Sequence, residues 1–144
     1  MSLYGDFKTD EDLERAGVLI QYGETTRIRL ARSGGANKKF KKVLESVSKN
    51  YRRQIDTNTL GTDKQLELLG EAMARSTIMS WETLVEDEWV IGIEKPEGEG
   101  VLAVTPENIM QTFKNLPDLL TQLSEDSGKA AIYQAAELEE DAKN

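Results

Sequence analysis

The stretch Arg27–Arg53, RIRLARSGGANKKFKKVLESVSKNYRR, reads as a strand, a tight glycine turn and an amphipathic helix. Ile28 and Leu30 alternate with Arg27, Arg29 and Ala31, which is the period of a strand. Ser33, Gly34 and Gly35 then break it. From Ala36 or Asn37 the period changes: Phe40, Val43, Leu44, Val47 and Tyr51 form one apolar stripe, which predicts a helix ending near Arg53 or Gln54. Lys38, Lys39, Lys41, Lys42 and Lys49 take the other faces. Between Thr26 and Arg53 ten Lys and Arg stand against one acid, Glu45, a net of +9. The remaining chain carries 8 bases against 25 acids, a net of −17.

Upstream, Thr9 or Asp10 caps a short helix that Gly17 ends, after a loose lead-in over residues 1–8. Val18, Ile20 and Tyr22 alternate with Leu19 and Gln21. With a turn at Gly23 and Glu24 they make the first half of a hairpin. Downstream, the polar linker Asp56–Gly61 leads to a second long helix, capped by Thr62 or Asp63 and expected to run to about Leu84. Leu66, Leu69, Met73, Thr77 and Leu84 supply its stripe, and Trp81 is a core or interface anchor near its end. Trp89–Ile93 and Val101–Val104 predict a second hairpin around the tip EKPEGEG. Thr105-Pro106-Glu107 starts a helix with Ile109, Met110 and Phe113 inward, and Pro117 restarts it. Leu119, Leu120, Leu123, Tyr133 and Leu138 line the last helix, with Gly128 weakening its middle, and residues 139–144 are expected to fray.

The fold class is therefore α+β: a single domain over residues 1–144, mostly helical. About four to five helices accompany two short hairpins, which can pair into one small antiparallel sheet. A chain of 144 residues buries a sizeable core.

Composition narrows the chemistry. Without Cys there is no disulfide framework and no thiol nucleophile, and without His the commonest general base and zinc ligand are missing. SGGANKK, at Ser33–Lys39, lacks the G-x-x-x-x-G-K-[ST] spacing of a phosphate loop and is read as a turn and helix start. The acidic runs Glu86–Glu88 and Glu137–Asp141 lack calcium-loop spacing and are read as solvated. No catalytic, cofactor or metal site is expected, and no membrane span.

The basic element is the candidate site: Arg27, Arg29, Arg32, Lys38, Lys39, Lys41, Lys42, Lys49, Arg52 and Arg53. Nucleic acid is disfavoured as a partner, because Phe40 and Tyr51 both sit on the apolar stripe and the net charge is −8. Acidic protein surface, including that of another copy, suits the charge asymmetry better.

Several segments resemble the tail assembly chaperones of long-tailed, siphovirus-like bacteriophages or prophages. They are FKTDEDLERAGVLIQYG (Phe7–Gly23), RIRLARSGGANKKFKKVLESVSKNYRRQ (Arg27–Gln54), PENIMQTFKNLPDLLTQL (Pro106–Leu123) and AAELEEDAKN (Ala135–Asn144). Ala31–Lys39 and Phe113–Leu120 carry the resemblance most specifically. It implies a non-enzymatic chaperone of virion assembly in the host bacterial cytoplasm, absent from the mature virion. Such a protein coats the tape measure protein, helps recruit tail tube protein, and self-associates as a homo-oligomer, in some members a spiral. The resemblance transfers no site residue and gives the Glu86–Val104 hairpin no role. Two other readings stay open: a small nucleic-acid-binding regulator using the basic face of residues 26–53, and a structural tail-completion protein.

Overall fold

A computed structural model describes residues 2–134, and its centre is a four-stranded antiparallel sheet. The first hairpin forms as its alternation predicts. β1 (Val18–Tyr22) pairs with β2 (Thr26–Leu30), Ile20 opposite Ile28 and Gln21 opposite Arg27. Before it, Asp10 caps a short helix, Glu11–Ala16, by accepting from the amides of Asp12 and Leu13. Gly17 closes that helix at φ +95°.

The lead-in is more ordered than expected. Leu3–Phe7 forms one helical turn (α1), because the Ser2 hydroxyl accepts from the Gly5 amide at 3.0 Å. The helix Glu11–Ala16 is therefore α2. After β2, α3 runs over Lys38–Ser48 and stops short of the expected Arg53. A 3₁₀ turn, Lys49–Tyr51, redirects the chain into α4 (Arg52–Asp56).

The largest correction concerns the second long helix. α5 spans Thr62–Ser76 and ends there, not at Leu84. Ile78–Val85 is instead β3, a central strand of the sheet. Helical and extended patterns coincide along this segment, since Met73, Thr77 and Leu84 fit a helical stripe. The β-branched Thr77, Ile78, Thr83 and Val85, with aromatic Trp81, suit a strand better. Pairing with β2 then decides, setting Trp81 opposite Ile28 and Glu82 opposite Arg27. Trp81 is a core residue on a strand, 2% exposed.

The second hairpin is also rearranged. β4 (Glu88–Ile91) turns back on β3 through Glu86 and Asp87, both at positive φ, and completes the sheet in the order β1-β2-β3-β4. Only β5 (Ile93–Glu94) and β6 (Val101–Leu102) pair across the Pro–Gly tip, as a separate two-stranded ribbon. Gly92 makes the break at φ +152°, where a Cβ would fall 2.5 Å from the Val101 side chain.

α6 (Pro106–Asn115) starts as expected, with Thr105 accepting from the Asn108 amide and proline at its first position. α7 (Pro117–Gly128) restarts at Pro117. Gly128 ends α7 and does not lie in its middle. Tyr133 follows on a 3₁₀ turn, Ala130–Tyr133. Leu138 and the tail 139–144 lie outside the described residues.

One sheet face supplies Ile28, Leu30 and Trp81 to the core. Met73 and Ala74 of α5, Ile109 and Phe113 of α6, and Leu120 and Leu123 of α7 cover it. The chain is thus α+β and mostly helical, with helices gathered against one face of an antiparallel sheet. α3 stands one layer further out, packing on α5.

Candidate protein-docking groove

α3 has a strong apolar stripe but no fully buried residue. Phe40 packs against the core cluster, while Val43, Leu44, Val47 and Tyr51 are half-covered on the flank of α5. The 3₁₀ turn after Ser48 separates α4 from α3, and a short loop leads on to α5. Between them a groove of about 330 Å³ opens. Its apolar walls are Leu44, Ile55, Leu60, Leu68 and Leu69, and Ser48, Gln54 and Gln65 supply polar edges. Ile55 is 45% exposed. A half-open apolar trough beside an amphipathic helix has the shape that receives a partner helix.

The outer faces of α3, the 3₁₀ turn and α4 carry exposed bases, and the acid Asp56 ends α4 beside Ile55. Lys38, Lys39, Lys41, Lys42, Lys49, Arg52 and Arg53 are all exposed, and none makes an ion pair among the described residues. Lys41 precedes Leu44 by three positions and so adjoins the groove wall, while Arg52 and Arg53 open α4, which carries Ile55.

The other three candidate residues lie elsewhere, each engaged within its own chain. Arg27 grips Glu82 through two hydrogen bonds, of 3.0 and 3.3 Å, and lies 4.4 Å over the Trp89 ring. Arg29 donates to the Gly17 carbonyl at 3.2 Å. Arg32 donates to Glu14, a carboxylate only 3% exposed, whose second oxygen accepts from the Thr9 hydroxyl at 3.1 Å. Strand alternation, the buried Glu14 and the half-buried Glu82 thus split the run of ten: three are engaged at the hairpin and seven stand exposed along α3 and α4, with Lys41, Arg52 and Arg53 nearest the groove. Ile55 and Leu60, which complete the groove, carried no weight in the sequence. Two apolar residues flanking the polar loop Asp56–Thr59 were the available sign.

A second polar cluster ties α7 to the hairpin. The Tyr22 hydroxyl donates to Asp126 at 2.8 Å, and Tyr133, fully buried, donates to the Leu30 carbonyl at 3.0 Å. Burial first, then the Asp126 contact, holds the Tyr22 phenol far above its ordinary range, and burial raises Tyr133 likewise. Lys64 is raised by its contact with Glu67, and its ammonium lies 5.1 Å from the Tyr51 ring centre. A separate cleft of about 340 Å³ lies between α5, α6 and α7, floored by Leu66, Phe113 and Leu120. Among the described residues, no group of three or more acids is gathered to hold a metal ion, and no helix is long and apolar enough to cross a membrane.

The chain is a small α+β domain with an apolar groove between α3, α4 and α5 and exposed bases beside it. A family model described as YdaY prophage protein matches residues 35–144, and the chain belongs to that family: it is a prophage protein. The match begins at Gly35, so it takes in α3, α4, α5 and the whole groove. No curated protein and no solved structure matches the chain.

Proposed function

We propose that this prophage protein is a tail assembly chaperone that holds a helical segment of the tape measure protein in the groove between α3, α4 and α5. The carrying observation is the groove itself: apolar walls incompletely covered within the fold, beside exposed Lys41, Arg52 and Arg53, which make no ion pair among the described residues. An amphipathic client helix with acids flanking its apolar stripe is the complementary ligand. Its apolar face covers Ile55 and the half-covered leucines, gaining roughly 1 kcal/mol for each side chain whose remaining surface is taken from water. These exposed bases set orientation and speed encounter more than they add affinity. A chaperone of this kind needs no catalytic group; it keeps an apolar helix from aggregating until tail tube subunits replace it. Membership of a prophage family and the resemblance of the α3 and α6–α7 segments to tail assembly chaperones support the same reading.

The test is co-expression with the tape measure protein of the same prophage. The client should stay soluble and co-purify with the wild-type chain. It should be lost with Ile55→Asp combined with Arg52→Glu, a pair of exposed positions whose change should leave the circular dichroism spectrum as in wild type. Equal co-purification of that variant refutes the groove as the client site. Binding to duplex DNA that weakens steeply with salt would move the reading to a nucleic-acid regulator.

A further inference from the structure

α1 is an apolar element without cover. Leu3, Tyr4 and Phe7 are 70%, 78% and 71% exposed, and no residue of the helix is buried. Leu3 and Phe7 are four apart and Tyr4 and Phe7 three apart, so the three side chains share one face. The helix is held by polar contacts at its ends: Ser2 caps it, and the Gln134 amide donates to the Asp6 carbonyl at 2.8 Å. Acids cluster around and after it, at Asp6, Asp10, Glu11 and Asp12. It is thus a short apolar arm on an acidic base.

The groove described above has the opposite character: apolar walls with Lys41, Arg52 and Arg53 exposed beside them. The two features also lie at opposite ends of α3. The chain following α1 passes α3 at its first turn, where Thr9, Glu11 and Lys38 line one cleft. The groove opens at Leu44 and Ser48, roughly 9–15 Å further along the helix axis at the α-helical rise. An arm at one end and its matching groove at the other suit contact between copies.

We propose that the Leu3–Phe7 arm of one copy seats in the Leu44–Ile55–Leu69 groove of a second, with the acids after the arm facing Lys41, Arg52 and Arg53. Donor and acceptor are different patches, so the contact is heterologous. Each added copy leaves one arm and one groove unfilled, and the assembly grows head to tail. This names the occupant of the same groove when no client is present, and the contact between copies stands without any client. The arm also gives the groove a guard: an apolar trough filled by a neighbour is not open to unspecific aggregation, and a longer client helix displaces the arm.

The chain has no cysteine, so single introduced thiols are unique. Phe7→Cys and Ile55→Cys chains, mixed and oxidised gently, should give a cross-linked dimer. Phe7→Cys mixed with Glu125→Cys, on the exposed side of α7, should not. In light scattering, Leu3→Ser/Phe7→Ser should weaken self-association on the order of tenfold or more, as loss of two buried anchors does. The arm variant should still co-purify with the tape measure protein, whereas the groove variant loses both, so failure of the self-contact and failure of the client reading are told apart. Three outcomes would overturn the inference: a wild-type monomer at all concentrations; a bridge within one chain when both thiols share it; or equal cross-linking to Glu125→Cys. Arm-dependent binding to phospholipid vesicles without cross-linking between copies would reassign the arm to a membrane surface.

Discussion

Replacing Arg32 by Ala tests whether this arginine braces the fold or belongs to the docking surface. Its guanidinium donates to Glu14, whose side chain is 3% exposed, while Arg32 itself is 23% exposed. Truncation leaves a buried carboxylate with only the Thr9 hydroxyl, 3.1 Å from its other oxygen. Removing one partner of a buried ion pair costs about 3–5 kcal/mol, because the remaining charge keeps its desolvation penalty without compensation. Water reaches the Arg32 side of this pair, which places the expected loss at the lower end, about 3 kcal/mol. At this chain length that lowers Tm by roughly 6–10 °C. Lys41→Ala, at an exposed position, should stay within about 0.5 kcal/mol of wild type.

A double-mutant cycle sharpens the comparison. Glu14→Gln removes the charge that Arg32→Ala strands, so the double variant should be more stable than the two single losses predict. Thermal and urea denaturation of the four chains gives the coupling directly. If Arg32→Ala shifts Tm no more than Lys41→Ala, or if the two single losses simply add, the bracing role is refuted and Arg32 returns to the docking surface.

Gly92→Ala should lower stability by about 3 kcal/mol or more, since the new Cβ meets both an unfavourable φ and the Leu102 carbonyl oxygen at 3.1 Å, a backbone atom that cannot give way; a urea midpoint like that of wild type refutes this. The raised phenols of Tyr22 and Tyr133 predict an alkaline limit. The unfolded chain ionises these groups near pH 10 and the folded chain does not, so their contribution is intact below about pH 10 and is lost as pH rises beyond it. Tm should fall between about pH 9 and 11, and fall less in Tyr22→Phe/Tyr133→Phe; equal slopes for both chains would count against the assignment.

Local signals carried much of the fold. The β1–β2 hairpin was legible because alternation and Gly23 act within a dozen residues, and the starts of α6 and α7 because Thr105-Pro106 and Pro117 act within one turn. β3 was not legible, because its residues satisfy both periods and only the pairing with β2, about 50 residues earlier in the chain, chooses between them. The groove failed to show for a related reason. Its walls join Leu44 to Ile55, Leu60 and Leu69 across a 3₁₀ turn and a loop, and no single window contains that surface. Along the chain the basic run is continuous in charge, and only long-range partners divide it. The partners that divide it, Glu14 and Glu82, lie 18 and 55 residues from their arginines.

That division follows residue chemistry. The three inner bases are all arginines, and each uses the fixed donors of its guanidinium: Arg27 forks onto Glu82 and stacks on Trp89, Arg29 caps a carbonyl, and Arg32 meets a buried carboxylate. The seven exposed bases are mostly lysines, flexible point charges without one fixed donor geometry. From Lys38 to Arg53 seven bases against Glu45 leave a net of +6, on a chain whose total is −8. These exposed charges are screened over roughly 8 Å at physiological salt, while the Glu14–Arg32 pair is shielded from that screening by burial. Salt therefore acts on the two halves of the basic stretch differently. Any contact made through the exposed bases should weaken with salt, while the Glu14–Arg32 brace should stay largely unchanged.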